Sequence, residues 1–317
     1  MLLAVFLLAC ACNITVNTNP SSQQPTETAS ATAVEPPAAT ATSLPPTVTN
    51  PPMPEPTATQ PVISQQALWN MDYALPYNQK TVKLTNGSYA GEGADTLSVQ
   101  LLDIFALGDL NGDSATDAAV ILSEDMGGSG TFISLVVVAD QNGKLVQTAA
   151  AQLGDRQKIN SIAIQNYLII LDMIVHGPND PMCCPSQPTT QTYALVSYGL
   201  VLTHLTSKTS DGSERTIIIS SPAAGTQVSS SIQVKGSVTI APFENTLAYR
   251  LTDAAGNLVA QGSMMVTSTE MGSPGTFDSA IDLAQVPVGS TFRLSILDLS
   301  AADGSVMAMD SVELVRQ

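Results

Sequence analysis

Positive charge is scarce in this 317-residue sequence: 11 Lys and Arg stand against 27 Asp and Glu, for a net charge of -16. A chain so acidic is repelled by a phosphate backbone, which excludes nucleic acid as a partner. Aromatic residues make up 4% and charged residues 12%, so the interior has to be filled by Val, Leu, Ile and Ala. Cysteine occurs only at Cys10, Cys12, Cys183 and Cys184. The C-terminal half has none, which excludes a disulfide-stapled core there. His176 and His204 are the only imidazole bases, and no local signature ties either to a serine nucleophile. Gly127-Gly128-Ser129-Gly130 lacks the Lys of a phosphate-binding loop, and Thr131 stands where a nucleophile elbow needs its second Gly. It reads as a turn feeding a strand. No catalytic motif is present.

Long apolar runs are also lacking. Met1 to Ala11 reads MLLAVFLLACA, too short to span a bilayer but the length of a signal-peptide h-region. No Lys or Arg precedes Lys80, so the basic n-region is missing and a start further upstream is expected. Leu7-Leu8-Ala9-Cys10 resembles the lipobox of bacterial lipoproteins, which implies lipidation at Cys10, with Cys12 as the alternative. A short buried helix is the competing reading of residues 1–12, and the polar, proline-rich sequence that follows disfavours it. Residues 13–62 are mostly Thr, Pro, Ala, Ser, Asn and Gln. That composition cannot bury enough apolar surface to offset ordering entropy and predicts a disordered tether, spanning about 40 Å as a coil.

The rest is mainly β and divides at the polar stretch 206–214 into a β-rich domain at 63–205 and a sandwich at 214–317. Alternating or continuous apolar runs predict strands over Thr81–Leu84, Thr96–Leu101, Ala118–Leu122 and Phe132–Ala139. Thr131 to Ala139 is apolar on both faces and reads as a strand covered from both sides. A hairpin is expected from Ile159 to Val175 with its turn at Gln165-Asn166, a closing strand at Thr192–Val196, and a short helix within Ser64–Tyr73.

Between two of these strands lies Asp109-Leu110-Asn111-Gly112-Asp113-Ser114-Ala115-Thr116-Asp117. Side-chain oxygens of Asp109, Asn111, Asp113 and Asp117, with the Ala115 carbonyl, follow the spacing by which a tight loop wraps calcium. These nine residues resemble the loops of dockerins and FG-GAP repeat proteins. Ser114 replaces the usual Gly and Val120 the bidentate Glu of an EF-hand, so an EF-hand proper is excluded. An Asx-rich turn without metal is the competing reading.

Cys183 and Cys184 sit in a proline-rich loop that starts at His176. With Cys10 lipidated and Cys12 beside it, they are left to each other or to other chains, and an exported compartment favours a vicinal disulfide. Two separate thiols, or a thiolate-imidazole metal site with His176, are the alternatives. The domain as a whole resembles a β-rich module of exported bacterial lipoproteins that carry GDLNGD, GGSG, LGDR and CCP signatures.

From Arg215 onward, strands are expected at Thr216–Ser220, Ile232–Ile240, Leu247–Thr252, Leu258–Val266, Thr276–Leu283, Phe292–Leu297 and Val306–Val315. Seven strands in about 100 residues is the pattern of an immunoglobulin-like sandwich. Ser221-Pro222-Ala223-Ala224-Gly225, Val234-Lys235-Gly236-Ser237, Phe243-Glu244-Asn245, Asp253 to Gly256, Gly275-Thr276-Phe277 and Ser300 to Ser305 resemble the immunoglobulin-like domain of bacterial spore germination proteins. The resemblance implies an interaction module on an exported protein and does not imply germination. The expectation is a lipid-anchored envelope protein that faces the extracytoplasmic side and displays non-catalytic, calcium-stabilised β-domains to an envelope protein or glycan. A glycan hydrolase with an accessory domain, or a calcium- or redox-responsive sensor, is the alternative.

Overall fold

A computed structural model of the chain describes residues 63–317. The leader, the lipidation site Cys10 and the tether at 13–62 lie outside the described residues. The first element is a single helical turn, α1 (Gln65–Leu68), whose Ser64 hydroxyl accepts the Ala67 N–H at 3.3 Å. The helix is shorter than Ser64–Tyr73 because Tyr73 belongs to a strand. β1 (Asp72–Ala74) pairs with β2 (Thr81–Lys83), with Tyr73 opposite Val82 and fully buried.

This N-terminal segment covers one face of a five-stranded antiparallel sheet. Its strands run in chain order: β3 (Ser88–Ala90), β4 (Ser98–Gly108), β5 (Asp117–Asp125), β6 (Phe132–Gln141) and β7 (Lys144–Asp155). Alternation in β5 and β6 divides their side chains between two cores. Ala118, Val120, Leu122, Val136 and Val138 pack beneath Leu68, Tyr73 and Leu84. Ala119, Ile121, Leu135 and Val137 point the other way, onto Ile169, Leu171, Met173 and Tyr193. The double-faced apolar run expected at Thr131–Ala139 is therefore an inner strand buried on both sides.

The second core is closed by β8 (Lys158–Gln165), β9 (Leu168–Val175), β10 (Gln187–Val196) and β11 (Gly199–Lys208), again consecutive and antiparallel. β4 lies along β8 and β7 along β11, so the two sheets meet at both margins. The approach is close at Gly108, where an added Cβ would stand 2.7 Å from Ile164 Cγ2.

Polar residues 206–214 form the end of β11, a turn, and β12 (Glu214–Arg215), which folds back onto β11. β13 (Ile217–Ser221), β14 (Gln227–Val228), β15 (Ser231–Val238), β16 (Thr246–Asp253), β17 (Leu258–Met265), β18 (Thr267–Ser268), β19 (Gly275–Asp282), β20 (Thr291–Leu299) and β21 (Val306–Arg316) follow. All seven expected C-terminal strands are present, and β14 and β18 are additional. One sheet has the order β13-β15-β19-β18. The other has β17-β16-β20-β21, with β14 parallel on β21. Val234, Phe277, Leu247, Leu251, Phe292 and Leu294 fill the space between them. The fold is thus mainly β, with an immunoglobulin-like sandwich at its C-terminal end.

β21 also pairs with β11, through His204 opposite Asp310 and Leu205 opposite Met309, so one ten-stranded sheet continues from one half into the other. Leu205, Leu297 and Met309 form a small apolar cluster at this seam. Ser207 Oγ donates to the Met307 carbonyl at 2.6 Å, and Arg215 pairs with Asp298.

Candidate functional site

The Asp109 loop joins β4 to β5 at one end of the middle half. Its carboxylates are occupied with its own backbone. Asp109 accepts the N–H groups of Gly112 at 2.7 Å and Ser114 at 2.9 Å, and Asn111 Oδ1 accepts that of Asp113 at 2.9 Å. Asp113 accepts the Ala115 N–H at 2.7 Å and the Asn111 amide at 3.0 Å, while Asp117 accepts the Leu110 N–H at 2.9 Å. These bonds curl the chain tightly. Gly112 has φ +79° and Ser114 φ +66°, so Ser114 takes the left-handed conformation for which calcium loops use Gly.

Asp117 is buried, and burial holds its pKa above the ordinary carboxylate value; the Leu110 N–H opposes the shift, while the charges of Asp113 and Asp109 add to it. Val120, at the twelfth loop position, is buried in the core and offers no ligand. Among the described residues no three His, Cys, Asp or Glu side chains form a ready metal cluster. The donor set is nevertheless that of a hard cation: three carboxylates, one amide oxygen and the Ala115 carbonyl.

At the opposite end of the middle half, three sequence signatures meet at Arg156. Its guanidinium pairs with Asp155 at 2.5 Å and donates to the Ser129 carbonyl of the Gly127–Gly130 turn. It also donates to the Met182 carbonyl, beside the cysteine pair, at 2.8 Å. Asp155 accepts the Thr131 N–H at 2.7 Å, and the Arg156 N–H donates to the Thr131 carbonyl at 2.6 Å.

Cys183 and Cys184 form a vicinal disulfide and are both exposed. Their loop is fastened by Asp180, which accepts the N–H groups of Gly177 and Ser186 and the Ser186 hydroxyl. Those bonds, the Gly177 N–H foremost, hold the Asp180 carboxyl below its ordinary range. Both ring nitrogens of His176 are buried without a hydrogen-bond partner. The Gly-rich turn, the LGDR corner and the CCP loop are recognisable as separate strings; their meeting is visible only in the fold.

Sequence reasoning missed two further features. Glu124 is fully buried and accepts the N–H groups of Tyr77 at 3.3 Å and Asn78 at 3.0 Å, latching the N-terminal segment onto β5. Burial raises its pKa against those two donors. A cleft of about 260 Å³ lies between the β10–β11 turn and the C-terminal sandwich, lined by Tyr198, Asp253, Arg293 and Glu313 among others. Asp253 is held below the ordinary carboxylate range by Asn257 and by the N–H groups of its own turn, and Glu313 pairs with Arg293 at 3.1 Å.

The architecture is that of an immunoglobulin-like β-sandwich whose larger sheet continues into the β8–β11 sheet of the middle half. Residues 216–305 match the family model of the immunoglobulin-like domain of bacterial spore germination. No curated protein and no solved structure matches the chain. The match covers the C-terminal sandwich and agrees with its immunoglobulin-like β-fold. No helix among the described residues is long and apolar enough to cross a membrane.

Proposed function

We propose that the protein is a lipid-anchored component of a bacterial cell envelope that holds two β-rich domains away from the membrane face for binding or structural support. The observation that carries this reading is the match of residues 216–305 to the immunoglobulin-like domain of bacterial spore germination. The apolar leader, the lipobox ending at Cys10 and the Thr/Pro-rich segment 13–62 supply an anchor and a spacer. The partner is an envelope protein or glycan.

Calcium is the cofactor proposed for Asp109, Asn111, Asp113, Ala115 and Asp117. The ion supplies charge neutralisation to a loop that gathers three aspartates. In its absence the loop's own N–H groups satisfy part of each carboxylate.

The test is metabolic labelling with a fatty-acid probe in a bacterial host, using the chain expressed behind a basic n-region. Label in the membrane fraction that disappears in Cys10→Ala is expected. Label that persists in Cys10→Ala, or no label at all, overturns the anchor.

A further inference from the structure

We infer that the Cys183–Cys184 disulfide is a thiol-exchange site, and that opening it loosens the Arg156 node and with it the Gly127–Gly130 end of the middle half. Three observations carry this. Both cysteines are exposed, so an external thiolate can reach either sulfur. The bond closes a ring through a single peptide unit, so it fixes the backbone dihedrals between Cys183 and Cys184 and restrains the Met182 carbonyl directly before them. That carbonyl is one of three acceptors of Arg156, which also holds Asp155 and the Ser129 carbonyl.

The chemistry needs a dithiol reductant, either a small molecule or a protein. Its first thiolate attacks one sulfur, breaking the Cys183–Cys184 bond and forming a mixed disulfide. Its second thiol displaces the remaining cysteine, so the reductant leaves as a disulfide and its two protons end on Cys183 and Cys184. The chain's other cysteines, Cys10 and Cys12, lie far away in sequence, so the adjacent pair re-forms readily on oxidation.

Opening the ring releases the Met182 carbonyl and leaves the guanidinium with two acceptors. The effect reaches the Thr131 N–H, held by Asp155, and the Arg156 N–H, held by Thr131. The loop's other fastening, at Asp180, does not depend on sulfur, so the loop stays attached while the node relaxes.

The experiment is hydrogen exchange on the full chain before and after dithiothreitol treatment, with peptide mass spectrometry to follow the sulfurs. The expected result is a peptide that spans both cysteines, resists alkylation until reduced and gains two hydrogens on reduction. Exchange in 127–132 and 153–157 should then rise about tenfold, the loss expected of a hydrogen bond to a charged group, while the Asp109 loop is unchanged. Cys183→Ser/Cys184→Ser should show the fast exchange with or without reductant. Arg156→Ala should exchange fast in both redox states, with no further response. Should the double variant fail to fold, titration of the wild type with reductant gives the same comparison. Thiols that alkylate without reductant, or exchange that stays constant through complete reduction, overturn the inference. Neither result bears on the lipid anchor.

Discussion

The guanidinium of Arg215 lies 2.5 Å from the carboxylate of Asp298, joining β12, on the chain that leaves the middle half, to β20 of the C-terminal sandwich. Asp298 is 3% exposed; burial raises its pKa, and the charge and hydrogen bond of Arg215 oppose that shift. Arg215→Ala removes the opposition and leaves a buried carboxyl without a partner. The expected cost is about 3–5 kcal/mol at neutral pH in urea unfolding. Its pH dependence has a definite sign. A carboxyl whose folded pKa is raised favours folding while protonated and loses that contribution as pH rises through the folded value. The variant should therefore be closest to wild type at about pH 4, near the ordinary carboxylate value, and fall away above it.

Glu124 offers two carboxylate oxygens to two backbone N–H groups. In Glu124→Gln one of those oxygens becomes an NH₂ facing a donor, so a loss of about 1–3 kcal/mol is expected. Thermal unfolding measures it. Hydrogen exchange should locate the weakened protection in residues 63–84, the segment that this carboxylate latches.

The β8–β9 turn places Asn166 at φ +51° and Tyr167 at φ +64°, with Gln165 paired to Leu168. These are the two left-handed positions of a type I′ hairpin, where Asn-Gly is the favoured pair. Tyr167 is exposed, and relief of its backbone exceeds the entropy that Gly adds to the unfolded chain. Tyr167→Gly should stabilise the protein by about 0.5–1 kcal/mol. A lower midpoint in the variant would mean that the Tyr167 ring makes a contact worth more than the strain.

Much of the fold was legible in the sequence. The seven C-terminal strands follow from alternation such as Ile232, Val234 and Val238, and β5 and β6 from apolar runs. The Ile159–Val175 hairpin was visible, but its turn lies one residue beyond Gln165-Asn166, because Gln165 pairs with Leu168 and a two-residue loop is all that remains. β7 was hidden because Ala149, Ala150 and Ala151 carry little strand propensity, and β11 because His204 and its threonines interrupt the alternation. The seam between β11 and β21 joins residues about a hundred positions apart, and no local pattern encodes such a pairing. The nine-residue Asp109 loop was legible as a string, and the structure adds that Ser114 takes the conformation a Gly would. The Arg156 node was not legible, since its parts are distant in sequence and each makes sense as an ordinary turn.

Calcium should raise the thermal midpoint of the full chain. A ligand that binds only the folded state contributes about 2.7 kcal/mol at a hundredfold excess over its dissociation constant. With no ligand at Val120, a constant of about 10⁻⁴–10⁻³ M is expected. Asp117 must lose its proton to serve as a ligand, and its pKa is raised, so affinity should grow as pH rises above the ordinary carboxylate range. Asp113→Ala should abolish the response. Equal midpoints for wild type in chelator and in millimolar calcium would reduce the loop to an Asx-rich turn.

The most direct test of the envelope assignment is the intact mass of the protein extracted from bacterial membranes, after expression behind a basic n-region. The expected species begins at Cys10 and carries the added mass of its lipid, and Cys10→Ala is lost from the membrane fraction. A soluble species with an unmodified N-terminus, or one cleaved elsewhere without lipid, would contradict the anchored display of these β-domains.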